Sequence, residues 1–166
     1  MRILVDGLPI EETTHYGKRV LIDTMILCYA YDSLSPVHER ARAVLAAALL
    51  GYIRGHVSYR NLAEFYSVVT GSRVKTPLPP REALRIVETL IRSRRLIKLM
   101  PANYVEALRR AARLGLRGGE VFNAILAYTC RGVVDYIWTV NVEDFQHYTA
   151  SLRVENPLEW RWEIVE

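Results

Sequence analysis

The chain has 166 residues, 51% of them hydrophobic, which suits one domain with a real core and excludes a disordered segment. No apolar run approaches the roughly 20 residues that span a bilayer. Met1 to Ile10 carries Asp6 and Pro9 where a secretory leader needs an unbroken apolar stretch, so the sequence reads as a cytoplasmic protein with no membrane segment. A net charge of +4 and a pI of about 9.2 are compatible with a nucleic-acid partner without demanding one.

Arg2 to Val5 is a short strand and Asp6-Gly7 a turn signal. Residues 1–19 read as an N-terminal extension, a hairpin or an arm, ahead of a domain over residues 20–166. Val20 to Ile22 is a buried, parallel-type strand. Asp23 follows it directly, at the cap position of a helix over Thr24 to Tyr31. Ser35-Pro36 opens a second helix that Gly51 ends. Gly55 to Ser58 is a second strand. Asn61 to Val69 is a helix with Leu62, Phe65, Tyr66 and Val69 inward and Gly71 as its C-cap. Pro79-Pro80 starts a helix to Ser93. Leu96 to Leu99 is a third strand closed by Pro101. Asn103 caps a helix ended by Gly115. A further helix covers Glu120 to Cys130. Val134 to Val140 is a fourth strand, and a last edge strand lies near Arg153-Val154. Strand and helix alternate with short connections, which predicts an α/β fold with a parallel sheet covered by helices on both faces. Cys28 and Cys130 are too few for a disulfide framework or a zinc site. They read as buried free thiols, with a single bridge as the alternative.

The acids fall where chemistry gathers. Asp23 ends the first strand. Glu64 lies one turn into the helix after the second, in the apolar run Leu62-Ala-Glu64-Phe-Tyr. Glu120 opens its helix, and Asp144 lies just beyond the fourth strand. In a parallel sheet these ends share one rim. Carboxylates brought together there repel one another unless a cation neutralises them. Mg²⁺ and Mn²⁺ are hard ions that take such oxygen ligands and serve phosphoryl chemistry. Each acid also has a plainer role. Asp23 can cap its helix, Glu64 can pair with Arg60, Glu120 can complement a helix dipole and Asp144 can cap a turn. The arginines Arg92, Arg94, Arg95, Arg109, Arg110, Arg113 and Arg117 are either a solvated helix face or a seat for an RNA backbone.

The sequence resembles the PIN-domain ribonucleases, in particular the VapC-type toxins of toxin–antitoxin systems. The resemblance rests on Val20-Leu-Ile-Asp23-Thr, Leu62-Ala-Glu64-Phe-Tyr, Asn123-Ala-Ile-Leu-Ala127, Thr139-Val-Asn141-Val-Glu-Asp144-Phe and Val154-Glu-Asn-Pro157-Leu. These motifs cover about residues 20 to 158 in the family's order. The resemblance implies a three-layer α/β/α fold with a mostly five-stranded parallel sheet. It also implies a Mg²⁺- or Mn²⁺-dependent endoribonuclease, a homodimer, an RNA substrate and a VapB-like antitoxin. Asp23, Glu64, Asn123 and Asp144 match the family's catalytic positions. These four, with Asn141 and with Glu120 as a candidate, form the expected metal set, and Thr139 matches a hydroxyl that supports the site. One position departs from the pattern. The family's third acid is Asn123 here, which coordinates through a carbonyl but brings no charge. Glu120, three residues earlier, either supplies the missing carboxylate or lines the entrance. Two functional classes therefore stand: a metal-dependent endoribonuclease, or a degenerate PIN-like module that binds RNA or a protein without cleavage. A phosphatase with Asp23 as nucleophile ranks lower, because Asp23-Thr-Met lacks a second acid two residues on.

Overall fold

The computed structural model describes residues 1–100, 103–148 and 152–166. Five parallel strands form the central sheet: β3 (Arg19–Ile22), β4 (Arg54–Ser58), β5 (Ile97–Leu99), β6 (Tyr136–Trp138) and β7 (Arg153–Glu155). They lie in the order β5-β4-β3-β6-β7. Between them run α1 (Thr24–Tyr31), α2 (His38–Leu50), α3 (Tyr59–Thr70), α4 (Pro80–Arg92), α5 (Tyr104–Arg113) and α6 (Glu120–Cys130). From β3 the chain builds outward through β4 and β5, then returns to place β6 and β7 on the other side. The order thus reverses between β3 and β6, and the crevice beyond the carboxyl ends of two such strands is where α/β proteins bind ligands.

Strand alternation divides the core. Val20, Ile22 and Trp138 pack with Ile26 and Leu27 of α1, Val44 of α2 and Phe65 of α3. Leu21 and Ile137 face the other way, onto Leu126, Ala127 and Cys130 of α6 and onto Phe145. Asp23 continues the alternation from Leu21, which turns its side chain toward the α6 side.

A second, antiparallel sheet has the order β2-β1-β8, from β1 (Arg2–Val5), β2 (Leu8–Pro9) and β8 (Trp162–Val165). The N-terminal residues fold as a hairpin. Ile3, Val5 and Ile10 are buried in the same cluster as Val20. His15 stacks on Trp160 at 4.2 Å and meets the edge of Trp138 at 5.7 Å. Strand β8 has no counterpart in the sequence reading.

Several boundaries differ from expectation. Ser35-Pro36 forms a turn, with His38 N–H donating to Ser35 O at 3.1 Å, and α2 starts only at His38. Tyr66 is exposed, because Leu62, Phe65 and Val69 already fill the inner stripe of α3. Gly71 does cap α3, in an extended conformation (φ −92°). The fourth strand is confined to three residues. Pro101 lies outside the described residues. Cys28 and Cys130 are both free and buried, so no bridge forms, and burial pushes each thiol up to about 12.

Candidate active site

At Asp23 the chain is still paired to the sheet, since its N–H donates to Trp138 O at 3.0 Å. With φ −75° and ψ 160° it turns from strand into helix, and its Oδ1 accepts from Thr24 N–H at 2.8 Å. The capping role and the placement at a strand end are therefore one geometry. Two more donors converge on the carboxylate. Thr139, fully buried just after β6, donates from Oγ1 to Asp23 Oδ2 at 2.8 Å, and Asn61 Nδ2 donates to Oδ1 at 3.1 Å. Burial pushes the Asp23 carboxyl above the usual carboxylate range. The charge of Glu64 adds to that shift, while the donors from Thr139, Thr24 and Asn61 oppose it.

Glu64 is joined to the same network. Thr24 Oγ1 donates to Glu64 Oε2 at 2.9 Å and accepts from Asn61 Nδ2 at 2.9 Å. Asn61 is fixed in turn by a capping box at the start of α3. Its N–H donates to Ser58 Oγ at 3.0 Å, and the Ser58 hydroxyl donates to Asn61 Oδ1 at 2.7 Å. Two carboxylates on different helices are thereby held by the hydroxyl and amide groups between them, with no cationic side chain in the network.

These groups open into a cleft of about 430 Å³. Asp23, Glu64, Glu120, Asn123, Asn141 and Asp144 all line it, so six residues expected from the sequence meet on one surface. They do not meet at one point. Among the described residues no three of His, Cys, Asp and Glu come together closely enough to form a metal-binding group by themselves. Glu120 accepts from Arg117 N–H at 3.2 Å, a bond within its own turn. Asp144 N–H donates to Asn141 O at 3.1 Å, inside the 3-10 turn Val142–Tyr148 that forms the rim. Thr139 supports that rim as well, because its Oγ1 accepts from Asn141 N–H at 3.1 Å.

The Arg60–Glu64 pair offered by the sequence does not form. The Arg60 guanidinium lies 3.7 Å over the Phe122 ring, and Glu64 takes the Thr24 hydroxyl instead. Arg60 and Phe122 line a narrower recess of about 160 Å³ that also touches Asp23, Glu64 and Asn123. Sequence reasoning missed Thr24, Ser58, Asn61, Arg60 and Phe122. The spacing Ser58-x-x-Asn61 was the available signal for the capping box. Nothing in the sequence pointed to the stacking of Arg60 on Phe122, a contact between two helices.

A half-buried carboxylate at the switch point of a parallel five-stranded sheet, with a second acid from α3 beside it, defines a small α/β protein of the PIN fold. No family model matches the sequence. Ribonuclease VapC24 of Mycobacterium tuberculosis, in strains CDC 1551 / Oshkosh and ATCC 25618 / H37Rv, is 34% identical over 142 residues, 82% of this chain and 95% of its own length. The chain belongs to the VapC ribonuclease family. Among solved structures it is similar to VapBC-1 from nontypeable Haemophilus influenzae (TM-score 0.56, 22% identity, 83% of this chain and 97% of the other). It is also similar to FitAB bound to an IR36 DNA fragment (0.53, 19%, 84% and 95%) and to FitAcB from Neisseria gonorrhoeae (0.52, 20%, 83% and 97%). At those identities the likeness is one of fold.

Proposed function

We propose that this chain is a divalent-metal-dependent endoribonuclease toxin that hydrolyses RNA phosphodiester bonds. The observation that carries the reading is the Asp23 carboxylate, held by Thr139, Thr24 and Asn61 beside Glu64 in the β3–β6 crevice. The donor set fits Mg²⁺ or Mn²⁺. It is all oxygen, contains no thiolate or imidazole, and pairs two close carboxylates with carbonyl and carboxylate groups farther along the cleft. Mg²⁺ is commonly held by one or two carboxylates, waters and substrate phosphate, which suits acids spread along a wall. Asp23 and Glu64 would hold the ion, and Asn123, Asn141, Asp144 and Glu120 would complete its surroundings through water or directly. When bound, the ion would neutralise charge on the phosphate and polarise water.

The rest of the chemistry falls to the chain. Thr139 and Asn61 keep the Asp23 oxygens aimed into the cleft. The Thr24 hydroxyl fixes Glu64 against the same opening. Asp144, on the rim, would take a proton from water, and Leu126 and Phe145 belong to the buried apolar cluster behind the site. Asn123 favours the second reading, a module that binds RNA without cutting it, because it leaves the cleft one charge short.

The decisive test is cleavage of single-stranded RNA with Mn²⁺, with EDTA, and by Asp23→Asn. Asn keeps the cap acceptor, so the fold survives while activity falls by at least about a hundredfold. Turnover that survives both EDTA and the substitution would refute the assignment. Metal-independent RNA binding with no turnover would establish the second reading.

An antitoxin partner is supported by the VapBC and FitAB neighbours. A homodimer is supported by the exposed apolar residues Leu84, Ile91, Ile97, Val105 and Leu108, carried by edge strand β5 and the helices on either side of it in the chain. Among the described residues no helix is long and apolar enough to cross a membrane. RNA as substrate places the action in the cytoplasm.

A further inference from the structure

Both walls of the acidic cleft continue past it. Helix α6 runs from Glu120 and Asn123 on to Ala127, Tyr128 and Arg131. The 3-10 turn runs from Asp144 and Phe145 on to His147 and Tyr148. With α5 as a third wall they enclose a separate, open cleft of about 450 Å³.

The character of this second cleft is the reverse of the first. Arg110, Arg113 and Arg131 line it, and among the described residues no acid does. Glu106, one turn from Arg110, ion-pairs with it at 3.5 Å and with Arg109 at 3.7 Å. Arg113 and Arg131 have no ion-pair partner among the described residues. The floor is made of small apolar side chains, Ala111, Ala124 and Ala127, which leave room for a flat ligand. The Arg110 guanidinium lies 4.9 Å over the Tyr128 ring, so cationic and aromatic faces are already stacked together. Unpaired guanidinium groups recognise phosphates. Aromatic and guanidinium planes stack with unpaired bases.

We propose that the α5–α6 cleft is the binding channel for the single-stranded RNA that flanks the scissile bond, with Arg113 and Arg131 on phosphates and a base stacked against Tyr128 and Arg110. Arg131, at the C-terminal cap of α6, lies eight positions beyond Asn123, about 12 Å by helical rise. The channel therefore reads nucleotides a short way along the strand from the cut. This inference rests on the ribonuclease reading for its substrate and makes the arginines positioning groups, not catalytic ones.

The experiment measures binding of a fluorescein-labelled oligouridylate to the Asp23→Asn full-length protein by anisotropy, over a series of salt concentrations. Each phosphate contact contributes about 0.7 to the slope of log affinity against log salt. The double variant Arg113→Gln/Arg131→Gln is expected to lower that slope by about 1.4 and the affinity by about tenfold. The variant Arg92→Gln/Arg94→Gln removes equal charge at the end of α4 and is expected to leave the slope unaltered. Equal slopes for the cleft variant and the starting protein, with matching circular dichroism melts, overturn the proposal. So does a cleft variant that keeps its RNA affinity but loses binding of a labelled poly-glutamate peptide, which assigns the channel to an acidic protein segment. Turnover enters nowhere in this measurement. A slope change in a chain that cuts no RNA therefore sinks the ribonuclease reading alone, and RNA cutting with an unchanged slope sinks the channel alone.

Discussion

Thr139→Val isolates the group that connects the two halves of the site. The side chain is fully buried, and valine has nearly its shape, so packing is preserved while the hydroxyl is lost. That hydroxyl donates to Asp23 Oδ2 at 2.8 Å and accepts from Asn141 N–H at 3.1 Å. Losing a hydrogen bond to a charged group costs about 2 kcal/mol, and leaving the Asn141 amide unmatched costs about 1 kcal/mol more. The expected loss is about 3 kcal/mol near neutral pH, about 6 to 12 °C in melting temperature for a chain of this size. The loss depends on pH in a definite sense. The folded-state pKa of Asp23 is raised, so the native chain holds this proton more tightly than the unfolded one, and ionisation costs stability as pH rises from the unfolded value through the folded one. The Thr139 donor favours the ionised form, and its removal raises that pKa further. The gap between wild type and Thr139→Val should therefore widen from acid to neutral pH, and Thr139→Ser should close most of it. Urea unfolding in EDTA across a pH series measures this. A gap under about 0.5 kcal/mol, or one that does not change with pH, would show that the hydroxyl does not hold the carboxylate.

Asn123→Asp adds a fifth carboxylate to the cleft that Asp23, Glu64, Glu120 and Asp144 already line. In metal-free buffer it should lower stability by about 1 kcal/mol, and in calorimetric titration it should bind Mn²⁺ about tenfold tighter or better. An unchanged Mn²⁺ isotherm would place residue 123 away from the ion. His15 and His56 both have pKa values lowered chiefly by burial, so each folds as the neutral ring. Their unfolded forms take up protons first, and the stability they contribute is present above about pH 6.5 and lost as pH falls below it. Melting temperature should drop through that range, and His15→Gln should flatten part of the drop. With both thiols pushed up to about 12 by burial, neither Cys28 nor Cys130 should react with a disulfide reagent at pH 8 until the chain unfolds. Prompt labelling of the native protein would contradict their burial.

What the sequence disclosed and what it withheld follow from one physical distinction. The acid in Val20-Leu-Ile-Asp23 is conspicuous because an apolar strand makes any carboxylate anomalous, and strand–helix alternation is enough to put such ends on a common rim. Glu64 stood out in the same way, against Leu62 and Phe65. The groups that hold these acids in place did not, because Thr24, Asn61 and Thr139 are ordinary polar residues whose partners lie 37, 40 or 116 positions away. Only the local Ser58–Asn61 box left a trace in spacing. Strand β8 was hidden for a related reason. Trp162 to Val165 is short, and its partner is β1 at the opposite end of the chain, a pairing that no periodicity records. The arginines show the limit most clearly. In sequence Arg110, Arg113 and Arg131 are parts of scattered basic runs, as consistent with a solvated face as with a ligand. The fold leaves Arg113 and Arg131 without an ion pair among the described residues, sets them beside Ala111, Ala124 and Ala127, and places them along α6 from the cleft of Asp23. Their meaning comes from which charges the structure leaves unpaired and where, and that is a property of tertiary arrangement alone.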